Sequence, residues 1–155
     1  MVQSTQTRLP NRAMIPVFGL PTADGGRVDL WELKRRKNVV LAFLPPDCSR
    51  CEEFLNSVSG ARDRYEEENA VFVAVIRGGG EEASEVQAAV RPSYPIAYDE
   101  TGRVTGMYTD TIPAVFVADR YGELREQFVS EPGEELPSQS RVLDVVELIN
   151  LECPE

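Results

Sequence analysis

Val39-Val40-Leu41-Ala42-Phe43-Leu44-Pro45-Pro46-Asp47-Cys48-Ser49-Arg50-Cys51 is the stretch from which the fold is read. Its first six residues are an unbroken apolar run. Such a run suits a strand covered on both faces, as in a largely parallel sheet. Pro45-Pro46-Asp47 stops the strand, because proline has no N–H to give to a ladder. Beyond it Phe54, Leu55, Val58, Ala61 and Tyr65 recur at helical spacing. The spacing predicts a helix from about Cys48 to Glu67, with Pro46 and Asp47 as its start signals.

The same alternation extends outward. Upstream, Asp24-Gly25-Gly26 marks a turn between Val17-Phe18-Gly19-Leu20 and Val28-Asp29-Leu30, predicting a short hairpin. Downstream, Val71 to Ile76 is a second buried strand. Gly78-Gly79-Gly80 leads into a helix near Glu81 to Val90, ended by Arg91-Pro92. Ile96-Ala97-Tyr98 is a brief strand before a turn at Asp99 to Gly102. Ala114 to Ala118, a turn at Arg120-Tyr121-Gly122, and Glu123 to Val129 form a β-hairpin. Val142, Val145, Val146 and Ile149 lie at i, i+3, i+4 and i+7, a final amphipathic helix. Strands alternating with helices, then a hairpin and a helix, imply an α/β sandwich around a mixed sheet.

Composition sets the outer limits. The chain has 155 residues, room for one domain with its own core, 42% apolar and 27% charged. Its formal net charge of −10 would repel a phosphate backbone, which argues against nucleic acid as a partner. The basic cluster Lys34-Arg35-Arg36-Lys37 reads as a solvated helix end. No apolar run reaches the ~20 residues of a membrane span. Residues 1–12 read as a loose lead, 13–151 as the domain and 152–155 as a tail. Met1 to Asn11 is polar, without the apolar core of a signal peptide, so the cytoplasm is expected.

The chain has no histidine, which removes Ser-His-Asp and Cys-His mechanisms and imidazole-based metal sites. It has three cysteines, and two lie three residues apart. In a reducing compartment that spacing points to redox chemistry or metal rather than to a structural staple. A helix N-terminus presents free N–H groups and a positive dipole end, which would stabilise a thiolate at Cys48 and make it the attacking sulfur. Cys51, one turn on, would close on the mixed disulfide. Arg50 adds favourable charge beside Cys48, and Asp47 adds unfavourable charge. Two alternatives stand beside this reading. The cysteines could be small core residues, or they could join Cys153 and a carboxylate around zinc. Cys153 itself reads as a free thiol on a frayed end; the sharper alternative is reaction with Cys48 or another subunit.

Taken in order, Pro16 to Leu20 with Asp24-Gly25, Cys48-Ser49-Arg50-Cys51, Tyr98-Asp99 before Gly102, and Thr111-Ile112-Pro113 before Val115-Phe116-Val117 resemble the thioredoxin superfamily. The likeness is to its redoxin or peroxiredoxin-like branch (alkyl hydroperoxide reductase and thiol-specific antioxidant), over roughly residues 14–150. It implies a thioredoxin-like fold: a central mixed β-sheet flanked by helices on both faces, with an N-terminal β-hairpin. It also implies Cys48 as nucleophile, Cys51 as resolving thiol and Pro113 as a cis-proline against the disulfide. Ile112, before that proline, would pair with an extended substrate segment. Pro46 and Arg50 are the further candidates for substrate contact.

The chain departs from these families in three places. Peroxiredoxins carry Thr or Ser three residues before the attacking cysteine and Pro four residues before that; here stand Pro45 and Leu41. Thioredoxins carry a buried Asp in the preceding strand; here stands Ala42. Thioredoxins have Trp before the first cysteine and Gly-Pro between the pair; here stand Asp47 and Ser49-Arg50. The expected function is therefore thiol–disulfide exchange without metal or organic cofactor, acting on protein or small-molecule thiols with a thioredoxin- or glutathione-type reductant. Thiol peroxidase chemistry through Cys48, or a non-catalytic binding module, are the alternatives. Oligomeric state is left open.

Overall fold

The computed structural model describes residues 9–33, 36–131 and 134–152. Lys34 and Arg35, most of the polar N-terminal stretch and Cys153 lie outside the described residues.

Two sheets organise the chain. A hairpin of β1 (Gly19–Pro21) and β2 (Arg27–Asp29) pairs Leu20 with Val28. Helix α1 (Leu30–Leu33) follows directly. The central sheet contains β3 (Asn38–Leu44), β4 (Ala70–Ile76), β5 (Ile96–Tyr98), β6 (Ala114–Ala118) and β7 (Leu124–Val129), in the order β5-β4-β3-β6-β7. β3, β4 and β5 are parallel, while β6 and β7 run antiparallel to their neighbours. The expected mixed sheet is present, with the last two strands as its hairpin.

β3 is buried along its whole length because both its faces are covered. Alternate side chains of a strand point to opposite faces. Val40, Ala42 and Leu44 join one core, packed under α2 (Ser49–Gly60), α4 (Gly80–Val90) and α6 (Gln139–Glu152). Val39, Leu41 and Phe43 join the other, with Phe18, Leu20 and Leu30 from the hairpin side and Val104 and Tyr108 from α5 (Arg103–Tyr108). Helices therefore flank both faces, as expected. Phe43, Tyr108 and Phe116 meet at centroid distances of 4.7 to 5.7 Å.

Four local readings need correction. The helix expected over Cys48–Glu67 is two helices, α2 and α3 (Arg62–Glu67). Ala61 sits between them at φ −103°, ψ 16°, and its N–H bonds the carbonyls of Ser57 and Val58. Gly60, a poor helix former, permits the break, and the apolar stripe crosses it unchanged because Tyr65 still faces the core. Second, Leu30 is the first residue of α1 rather than the end of a strand; Asp29 Oδ1 accepts the Trp31 N–H at 3.1 Å and starts the helix. Third, α5 follows what read as a simple turn. Its segment Arg-Val-Thr-Gly-Met-Tyr is short and carries Val, Thr and Gly, all weak helix formers. It is held by Asp99, buried, whose Oδ2 accepts the Thr105 N–H at 2.7 Å and its hydroxyl at 2.8 Å. Fourth, the start signals placed at Pro46 and Asp47 do not cap α2.

Candidate active site

That cap is Cys48. Its backbone is extended (φ −131°, ψ 103°), and its Sγ accepts the Cys51 N–H at 3.2 Å. Asp47, just before it, has φ 53° and is exposed, so its carboxylate is not the group that caps the helix. Asp is among the few residues that tolerate this left-handed region. Leu44 ends β3, Pro45 and Pro46 are half-buried, and the chain turns from the C-terminal end of this central strand into α2.

Cys48 and Cys51 are disulfide-bonded, with Cα atoms 5.2 Å apart. The two sulfurs differ in access. Cys48 is half-buried, whereas Cys51 is 3% exposed and packs in the core that contains Ala42. Only Cys48 is placed to meet a partner from solvent. The Cys51 N–H that reaches Cys48 Sγ at 3.2 Å sits at the helix N-terminus, where donor and dipole favour negative charge.

The remaining expected residues lie around this point. Phe43 pairs with Ala114, so Pro113 stands beside the C-terminal end of β3, from which the Cys48 loop departs. The Ile112–Pro113 peptide is cis, Pro113 is buried and Ile112 half-buried. Arg50, half-buried, lines a 330 Å³ cavity with Glu135, Leu136 and Pro137. One of its guanidinium nitrogens, Nη1, is buried without a hydrogen-bond partner. Pro46 lies on the loop between Leu44 and Cys48. The structure thus gathers Cys48, Cys51, Pro46 and Pro113 at one end of the sheet, and places Arg50 in a cavity beside α2.

A family model described as the AhpC/TSA family matches residues 12–127, most of the chain and all of this site. The chain belongs to the AhpC/TSA family.

Solved structures with the same fold include peroxiredoxins and a thiol:disulfide interchange protein. Peroxidoxin BcpB from Mycobacterium tuberculosis is 19% identical, with a TM-score of 0.79 over 90% of this chain and 97% of that one. The 2-Cys peroxiredoxin of Plasmodium vivax is 18% identical, with a TM-score of 0.79 over 92% and 82%. A Chlorobium tepidum chain assigned as the thiol:disulfide interchange protein DsbE is 25% identical, with a TM-score of 0.74 over 92% and 99%. No curated protein sequence matches the chain significantly.

Within this AhpC/TSA-family chain, the Cys48–Cys51 bond is a C-x-x-C redox centre. Ala42 is fully buried and carries no acid to take a proton from Cys51, and Pro45 offers no hydroxyl to a peroxide. Among the described residues no group of three or more His, Cys, Asp or Glu is arranged to hold a metal. Nor is any described helix long and apolar enough to cross a membrane. Sequence reading passed over Arg77, which follows β4 and whose N–H bonds the Leu44 carbonyl at 2.9 Å. A lone arginine after a strand carries no signal until the strand register places it at the same sheet end as Cys48.

Proposed function

We propose that the protein is a thiol–disulfide oxidoreductase that cycles its Cys48/Cys51 pair between dithiol and disulfide. The observation that carries this reading is the pairing of a half-buried, helix-capping Cys48 with a buried Cys51 one turn later. In the reducing direction the Cys48 thiolate attacks one sulfur of a substrate disulfide. A Cys48–substrate bond forms, the substrate S–S bond breaks, and the departing thiolate takes a proton. Cys51, losing its proton, attacks Cys48 Sγ and expels the second substrate thiolate, which is protonated in turn. Two electrons leave the protein, and a reductant of thioredoxin or glutathione type restores the dithiol.

Pro113 and Ile112 are proposed to hold the substrate strand, Ile112 through its backbone, with Pro46 at the rim. Protein or small-molecule disulfides are the proposed partners. Three cysteines in 155 residues support a reducing compartment, and we assign the cytoplasm. Insulin-disulfide reduction in the presence of dithiothreitol, together with equilibration of the pair against glutathione, tests this. The expected result is turnover above the uncatalysed rate and a single two-electron transition. Absence of both would remove the assignment.

The family match favours a second reading, peroxide reduction through Cys48. It predicts thioredoxin-dependent peroxide consumption, which Pro45 in place of the hydroxyl residue argues against.

A further inference from the structure

A second feature occupies the same end of the sheet. A 270 Å³ cavity is lined by Arg77, Gly102, Thr105, Thr109, Asp110 and Ile112, among others. Leu44 pairs with Ile76 on one side of β3, and Phe43 pairs with Ala114 on the other. Arg77 and Pro113 therefore flank the end of β3, two strand spacings apart, about 10 Å. An extended segment of about three residues spans that distance. A chain bonded to Cys48 and aligned on Ile112 would bring a neighbouring side chain into the cavity.

The cavity has one uncommitted charge to offer. The Thr105 hydroxyl is spent on Asp99, and the Thr109 hydroxyl on Thr111. Asp110 has an interaction of its own. The Arg77 guanidinium, exposed, forms no ion pair or side-chain hydrogen bond with any described residue. It is nevertheless placed. It lies over Gly102, where φ is +79° and a Cβ would come to 2.9 Å from Arg77 Nε. Gly102 thus serves twice, taking a left-handed turn and leaving room for the guanidinium. A planar, permanently charged fork lying over backbone with its donors free is suited to a carboxylate. It is a local exception on a chain whose net charge is −10.

We propose that Arg77 is a specificity-determining residue, binding a carboxylate borne by the substrate next to its reactive cysteine. The substrate class is then acidic-flanked peptide disulfides and small thiols carrying a carboxylate. The inference rests on the oxidoreductase reading given above, and the test separates the two.

The probes are the disulfide of a short peptide with Glu on both sides of its cysteine and the same peptide with Gln. The natural protein is expected to prefer the Glu peptide in kcat/KM, and 0.5 M NaCl to erase the preference. Arg77→Gln should lower the Glu:Gln ratio about 3- to 10-fold, the range of an exposed to well-formed charged contact; Arg77→Glu should invert it. A ratio of one in the natural protein, or a ratio indifferent to Arg77→Gln, would overturn the proposal. If neither peptide is turned over, the oxidoreductase reading fails instead. The subsite is still decided by titrating serine analogues of both peptides into the Cys48→Ser, Cys51→Ser protein, followed at the amides of Gly102, Thr105 and Gly106. Tighter Glu-peptide binding that Arg77→Gln abolishes supports the subsite; equal binding of the two peptides rejects it.

Discussion

Cys48→Ser is expected to lower disulfide turnover by at least about 10³-fold, with the fold retained. The reaction needs a sulfur that is ionised near neutral pH and able to form an S–S bond, and a serine hydroxyl does neither. The capping role survives the change. Serine is among the preferred N-cap residues, and its oxygen can accept the Cys51 N–H that Cys48 Sγ now accepts at 3.2 Å. The helix should therefore start where it does, and an unchanged far-ultraviolet circular dichroism spectrum accompanying lost turnover would separate chemistry from folding. Turnover that stays above a tenth of the original would put the reacting sulfur elsewhere.

The second large effect is on stability. Phe43→Ala should cost about 3–5 kcal/mol, the usual range for emptying a buried phenylalanine site. Phe43 is fully buried, and its ring lies 4.7 Å from Tyr108 and 5.7 Å from Phe116. Those neighbours come from α5 and β6, so the cavity would open between elements that cannot easily close over it. Against a typical total of about 5–15 kcal/mol, that is a large share. The midpoint of a urea transition measures it. A loss under about 1 kcal/mol would mean that the second core, under α1, α5 and the hairpin, does not hold the sheet as described.

Legibility in the sequence followed the physics of each element. β3 and β4 were plain because a strand buried on both faces is apolar along nearly all its length, here Val39–Leu44 and Ala70–Ile76, and their run lengths match a strand. The final helix was plain from its stripe, and the β6–β7 hairpin from its turn at Gly122, where φ is +88°. The break at Ala61 was invisible because periodicity registers the buried face, and Tyr65 remains on that face after the break. Helix α5 was invisible because its stability comes from Asp99 and from burial of Val104 and Tyr108, not from the helix propensity of its segment.

The candidate site divides in the same way. The Cys48/Cys51 pair, its strand-to-helix setting and Pro113 were all readable as local patterns. Three further features depend on the register and packing of strands and helices, which no local spacing encodes. They are the cap made by Cys48 itself, the place of Arg50 in a cavity with Glu135, and the place of Arg77 in a cavity with Ile112. Backbone geometry explains the first: Asp47, the better cap by residue type, is held at φ 53° outside the capping position.

Trapping tests the division of labour between the two cysteines most directly. Cys51→Ser protein, reduced and then exposed to a disulfide substrate, should stop at a mixed disulfide, because the sulfur that releases it is gone. Non-reducing mass spectrometry after proteolysis is expected to find one substrate thiol bound per chain, on Cys48, and to find it released by dithiothreitol. An adduct on Cys153, or rapid release of product without any adduct, would contradict the account.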